Sequence, residues 1–218
     1  MGFTEGRGNI RGIVSPMISS STYTALRVTS ERQVPLFEGH GRRLGPGSRA
    51  ALLEFAARAE AGVYRIIWNG RQLSSELRPP SRLQEGMPTR FVVSPFADQR
   101  GRFAKPAPPS PYDSVRIPGV SSLLTDAGGV EIYESCVASV LAWDGASLVL
   151  APESVPAVAS VAEQEVAARF PHRRASILVK GDWPLLLINA VAGTCAVTVP
   201  GRVAFPLEVR ARLDAALR

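Results

Sequence analysis

A chain of 218 residues that is 45% hydrophobic can bury a real core, as one large domain or two small ones. The net charge is +6, yet the arginines stand singly apart from Arg42-Arg43 and Arg173-Arg174, with no basic run, aromatic RNA-binding pattern or Cys/His finger, so no nucleic-acid partner is expected. No stretch reaches the roughly 18 unbroken apolar residues of a spanning helix, and Met1 to Ile10 lacks the apolar run of a signal peptide, so no membrane partner and a cytoplasmic location are expected.

The chain opens with Gly12-Ile13-Val14 and a serine cluster, Ser19-Ser20-Ser21. Tyr23 to Val28 alternates like a half-buried strand. A polar turn, Ser30 to Gln33, then leads to Val34-Pro35-Leu36-Phe37, which predicts a hairpin. Gly47 to Ala61 reads as an amphipathic helix, with Leu52, Phe55, Ala56 and Ala59 at helical spacing and Ser48 as candidate N-cap. Val63 to Trp68, closed by Asn69-Gly70, and Thr89 to Val93 read as strands.

Pro95 to Gly119 holds Pro106, Pro108, Pro109, Pro111 and Pro118, which oppose helix and ladder alike. The expected division is an N-terminal α+β subdomain over 1–95, a Pro-rich linker over 96–119 and a C-terminal α+β subdomain over 120–218. In the last, Val120 to Leu124 reads as a strand, and Val130 to Trp143 with Ser147 to Leu150 as a hairpin through Asp144-Gly145. Val155 to Phe170 carries a helical apolar face. Ser176 to Val179, Leu185 to Val191 and Thr194 to Val199 read as strands, and Pro206 to Leu217 as a terminal helix. The class is α+β, with mostly antiparallel or mixed sheets.

The two cysteines, Cys136 and Cys195, sit in apolar runs and make no disulfide framework. With only His40 and His172, and no CxxC or HExxH spacing, no metal site is expected.

Three blocks, in order, resemble the class IV aminotransferases, the fold-type IV pyridoxal-phosphate (PLP) family that includes D-amino acid aminotransferase and aminodeoxychorismate lyase. The first is Ser19 to Val28 followed by His40-Gly41-Arg42-Arg43-Leu44, similar to the family's H-x-x-R-L. The second is Leu123-Leu124-Thr125-Asp126 followed by Glu134-Ser135-Cys136-Val137-Ala138-Ser139. The third is Asn189-Ala190-Val191-Ala192-Gly193-Thr194, similar to a lyase-type NALRG segment. The resemblance implies two small α/β subdomains with a pocket between them, and a homodimer. It also implies that Arg43 grips the cofactor phosphate, that Glu134 pairs with the pyridine nitrogen, and that Asn189 and Thr194 belong to an anion-binding turn. Val158 and Ala159 stand where the family cups the phosphate at a helix start.

The sequence departs from the family at the cofactor lysine. Lys105 and Lys180 are the only lysines, and alignment of Ser110 to Arg116 with the family's strand puts Arg116 in the lysine position. Arginine stays protonated and cannot carry the cofactor covalently. PLP is therefore implied by the resemblance and opposed by the missing lysine. The leading expectation is a divergent enzyme acting without covalently held PLP on a small carboxylate-bearing molecule, with arginines binding the carboxylate and Glu134 as acid or base. Tyr112 and Arg116 are further catalytic candidates. Two alternatives stay open: a PLP-dependent lyase or aminotransferase whose lysine is the relocated Lys105, and a non-catalytic binding or regulatory homologue.

Overall fold

The computed structural model describes residues 21–79, 83–106 and 109–218. The expected start at Gly12-Ile13-Val14, Ser19-Ser20 and Pro108 lie outside the described residues.

Strand β1 (Thr22–Val28) buries Thr24, Leu26 and Val28 and turns Tyr23, Ala25 and Arg27 to its other face. The expected hairpin with Val34 to Phe37 does not form. Leu36 takes a left-handed backbone with φ of 57°, and the chain coils at once into helix α1 (Phe37–Leu44). Gly39 and Gly41 lower helix propensity there, which hides α1 from a pattern reading. Gly39 is required by packing, since a Cβ on it would lie 2.6 Å from Val161 Cγ1.

Helix α2 (Ser48–Arg58) falls inside the expected window, with Ser48 as its first residue and Gly47 at the cap position. Strand β1 pairs antiparallel with β2 (Gly62–Trp68), which pairs in turn with β3 (Leu73–Arg78). Most of β3 is exposed, so no apolar pattern announces it. Leu26, Val28, Leu44, Leu52, Ile66 and Trp68 form the core of this unit.

The strands that follow are β4 (Thr89–Val93), β5 (Ser121–Thr125), β6 (Glu131–Ser135), β7 (Ser139–Trp143), β8 (Leu148–Leu150), β9 (His172–Arg174), β10 (Ile177–Leu178), β11 (Leu185–Asn189) and β12 (Gly193–Val197). They build two sheets, in the orders β10-β6-β5-β4 and β12-β11-β7-β8-β9. Strand β4 lies parallel to β5. A strand placed by sequence in the N-terminal unit is therefore hydrogen-bonded into the second one.

The apolar run from Val130 to Trp143 is two strands in two sheets. At the corner between them, Ser135 Oγ accepts the backbone N–H groups of Val137 at 3.3 Å and Ala138 at 3.0 Å. Unbroken hydrophobicity conceals this bend, because both sheets are buried. One face of the third sheet packs Leu141, Leu148, Leu186 and Ile188 against helices α3 (Val161–Arg169) and α4 (Leu207–Ala216). Its other face packs Val140, Val149, Leu185 and Leu187 against Leu123 and Ile132 of the second sheet. Burial on both faces accounts for runs without alternation.

Helix α3 starts later than the expected Val155. Ser160 caps it by accepting the Glu163 N–H at 3.3 Å. The residues ahead of the cap stay extended because their amide groups bond elsewhere: Ala159 N–H donates to the Phe103 carbonyl at 3.0 Å.

Leu187 is 1% exposed at the centre of the double-faced sheet. Leu187→Ala is expected to lower the unfolding free energy by about 3 kcal/mol, measured by urea denaturation. A loss under about 1 kcal/mol would mean that the site collapses around the missing side chain.

Candidate functional site

A cavity of about 60 Å³ opens where β1, α1, the corner after β6, the segment before α3 and the end of β11 converge. Ala25, Arg43, Lys105, Glu134, Ser160 and Asn189 contribute to its wall. It lies between the β1–β3 unit and the double-sheet unit.

Glu134 is 4% exposed. Its Oε1 accepts the Tyr112 hydroxyl, and its Oε2 accepts the Val158 N–H at 3.0 Å. Burial pushes its carboxyl up to about 7, against the pull of these two donors. The same burial, with the carboxylate beside it, pushes the Tyr112 phenol far upward, so Tyr112 stays a donor. Tyr112 is presented by a 3-10 turn, Pro111–Ser114, whose start is fixed by Ser110 and Asp113 capping one another.

Arg43 leaves α1 and donates to the Ala159 carbonyl. Burial lowers its guanidinium to about 10, offset by Tyr23. Lys105 Nζ sits 5.5 Å from the centroid of the Tyr23 ring. Burial lowers its amine to about 8, with repulsion from Arg43 and Arg116 adding and Glu134 opposing. Among the described residues, no carboxylate makes an ion pair with Arg43 or Lys105. Two half-buried cations without an ion-paired carboxylate favour an anionic ligand.

The donor set fits PLP. An amine, a carboxylate and a guanidinium, the group types that suit a carbonyl, a ring nitrogen and a phosphate, line one cavity.

No family model matches the chain, and no curated protein sequence does. Solved structures do match. The 4-amino-4-deoxychorismate lyase of Pseudomonas aeruginosa superposes with a TM-score of 0.68 at 19% identity, over 99% of this chain and 96% of that one. A hypothetical aminotransferase from Mycobacterium tuberculosis in its PLP-bound form gives 0.62 at 18%, over 92% and 89%. The form of that aminotransferase bound to alpha-ketoglutarate and PMP gives 0.63 at 16%, over 93% and 90%. The chain has the fold of the fold-type IV PLP enzymes.

On that fold-type IV frame, Arg43, Lys105, Tyr112, Glu134, Val158 and Asn189 meet at the cavity. Arg116 does not line it. Its guanidinium is 46% exposed, 3.7 Å from Asp113, and donates to the Cys136 carbonyl at 3.4 Å. The lysine in the cavity is Lys105, 11 residues earlier than the position that sequence alignment gave to Arg116. Thr194 lies away from the cavity, where its N–H donates to Asp214 and its hydroxyl accepts from Arg210, both at 3.0 Å. The amides expected of the Asn189 turn are internally used: Val191 N–H donates to Asn189 Oδ1 at 2.7 Å. The amides of Val158 and Ala159 are likewise taken, by Glu134 and Phe103. Lys180 is exposed.

Three residues escaped the sequence reading. Tyr23 and Ala25 share a face of β1, and Arg65 on β2 stands opposite Ala25 in register. Strand alternation carried the signal for Tyr23, while Arg65 needed the β1–β2 pairing. His40 is fully buried, its Nδ1 2.7 Å from Thr24 Oγ1, and burial with Arg43 and Lys105 nearby lowers it to about 3, so it is neutral.

Because Glu134 is held near 7 against an ordinary 4.5, the folded chain binds its proton more tightly than the unfolded one. That contribution is full below about 4.5 and is lost as pH rises through 7. In Glu134→Gln the loss disappears. The stability of the variant relative to the parent should therefore rise across this window, by at most about 1.4 kcal/mol per pH unit. Urea unfolding at several pH values checks it, and a constant difference would contradict it.

Proposed function

We propose that the chain binds PLP in this cavity through Lys105 and acts as a lyase or aminotransferase on a small carboxylate-bearing amine. One observation carries this reading: the Lys105 amine, lowered toward 8, shares a cavity with the Glu134 carboxylate and the Arg43 guanidinium. PLP, when bound, supplies an electron sink for carbanion chemistry.

The residues of the chain would do the rest. A lysine titrating near 8 has a useful neutral fraction at neutral pH, which a nucleophilic amine requires. Glu134 would hold the ring nitrogen, with Tyr112 and the Val158 N–H fixing the carboxylate from behind. Arg43 would receive the phosphate. Arg65 and Arg116, outside the cavity wall and paired with Glu76 and Asp113, would add only a general positive field for an anionic substrate. The fold neighbours named above include both a lyase and an aminotransferase, which supports this pair of reaction classes.

A second reading rests on Glu134 itself. A carboxyl held near 7 is matched to proton transfer at neutral pH. It could act as acid or base on a carboxylate-bearing substrate held by the arginines, with no covalent cofactor.

The visible spectrum of the purified protein, with and without added PLP, separates the two. The first reading expects a yellow protein that borohydride bleaches, with the added mass on the Lys105 peptide and absent in Lys105→Ala. A colourless protein that takes up no PLP would remove the first reading and leave the second.

A further inference from the structure

The lysine of the cavity is borne by a stretch with no helix or strand of its own. Between β4 and the 3-10 turn, the described residues make a single one-residue bridge, Phe103 with Val158. A side chain that must be placed to a fraction of an ångström is poorly served by such a stretch unless something pins it.

Several charges act on Lys105 from neighbouring elements. Lys105 is repelled by Arg43 on α1, Arg65 on β2 and Arg116 beyond the 3-10 turn, and attracted by Glu134 on β6. The Tyr23 ring on β1 lies beneath its ammonium. Backbone bonds lace the stretch to the segment before α3: Gly101 N–H to the Ser154 carbonyl at 2.8 Å and Phe103 N–H to the Ala157 carbonyl at 3.1 Å. The Phe103 ring packs on Phe96 at 4.7 Å between centroids.

Between these two laced residues sits Arg102. Its Nη2 donates to Glu163 Oε1 at 2.8 Å and to the Ala151 carbonyl at 3.0 Å, and its Nε lies 3.4 Å from Glu153 Oε2. The Arg102 and Glu163 side chains are 12% and 7% exposed. A charge pair this enclosed resists separation far more than a surface pair does. It stands three residues from Lys105, on the same stretch that Phe103 laces to Ala157 and Ala159.

We propose that Arg102 is a positioning residue: through its buried pair with Glu163 it holds the Lys105 segment down and keeps the amine inside the cavity. The proposal rests on the reading of Lys105 as the cofactor amine, yet its test needs no cofactor. Arg174 also reaches Glu163, at 3.0 Å, and the Ala151 carbonyl, at 2.7 Å. Removing Arg102 therefore leaves Glu163 with a cation, and the Arg102→Met chain is expected to fold.

The test is a pH titration by NMR of cofactor-free protein carrying 13C at lysine Cε. The sequence holds two lysines, so the spectrum has two such resonances, assigned with Lys105→Ala; exposed Lys180 is the internal reference. In the parent, Lys105 should titrate near 8. In Arg102→Met its midpoint should climb toward the ordinary lysine value by at least about one pH unit, with Lys180 unmoved. Glu163→Gln, which keeps the shape and removes the charge, should shift Lys105 in the same direction and serves if Arg102→Met does not fold. A merely structural arginine would lower the melting temperature and leave the Lys105 midpoint in place, which would overturn the proposal. A parent Lys105 that titrates together with Lys180 would overturn it as well. Neither result depends on whether the protein is yellow, so failure here is distinct from failure of the PLP reading.

Discussion

A carboxylate sealed from water must be given donors or a proton, and Glu134 is sealed to 4% exposure. The two donors it receives come from distant parts of the chain, Tyr112 ahead of β5 and Val158 ahead of α3. Satisfying this one group draws the 3-10 turn, β6 and the approach to α3 to a single point. The approach to α3 stays extended, its Val158 and Ala159 N–H groups serving Glu134 and the Phe103 carbonyl. The helix is instead capped at Ser160, and the cavity wall is extended backbone. The position of the site thus follows from how a buried charge is solvated by protein.

The cations of the site obey a different balance. Loss of solvent lowers both Arg43 and Lys105, and Lys105 is lowered further by repulsion from Arg43 and Arg116. In a medium that screens poorly, such a pair persists because the surrounding fold holds it. Here the fold does so through the Gly39 contact that seats α1 on α3 and through the bonds that tie residues 101–103 to residues 151–159. An anion entering the cavity would meet a preorganised positive field, with little reorganisation left to make.

Arginine excess in this chain has a structural use. Arg90, Arg102, Arg174 and Arg202 each donate to backbone carbonyls. Arg202 alone closes on the Trp183, Leu178 and Val179 carbonyls. A guanidinium presents several donors in one plane, so it can clamp two strands or a loop where lysine could not. Several of the scattered arginines thus serve as clamps within the fold.

Local periodicity was enough to read β1, α2, β2, β4 and the strands around Leu141 and Leu187, because alternation and helical spacing report which faces are buried. The blocks around Arg43, Glu134 and Asn189 were also legible, since each lies within a short contiguous pattern. Three features were decided only by tertiary structure. The corner at Cys136 to Ala138 is invisible in a run that is apolar on both sides of the bend. Helix α1 carries two glycines, one of which exists for contact with Val161, so its propensity argued against it. The family pattern put Arg116 at the lysine position and left Lys105 as an open alternative, and only the fold places Lys105 in the cavity. Lys105 shares a cavity with Glu134 and Arg43 on a proline-rich stretch tied by long-range hydrogen bonds to the segment before α3, and such contacts leave no periodic mark in the sequence.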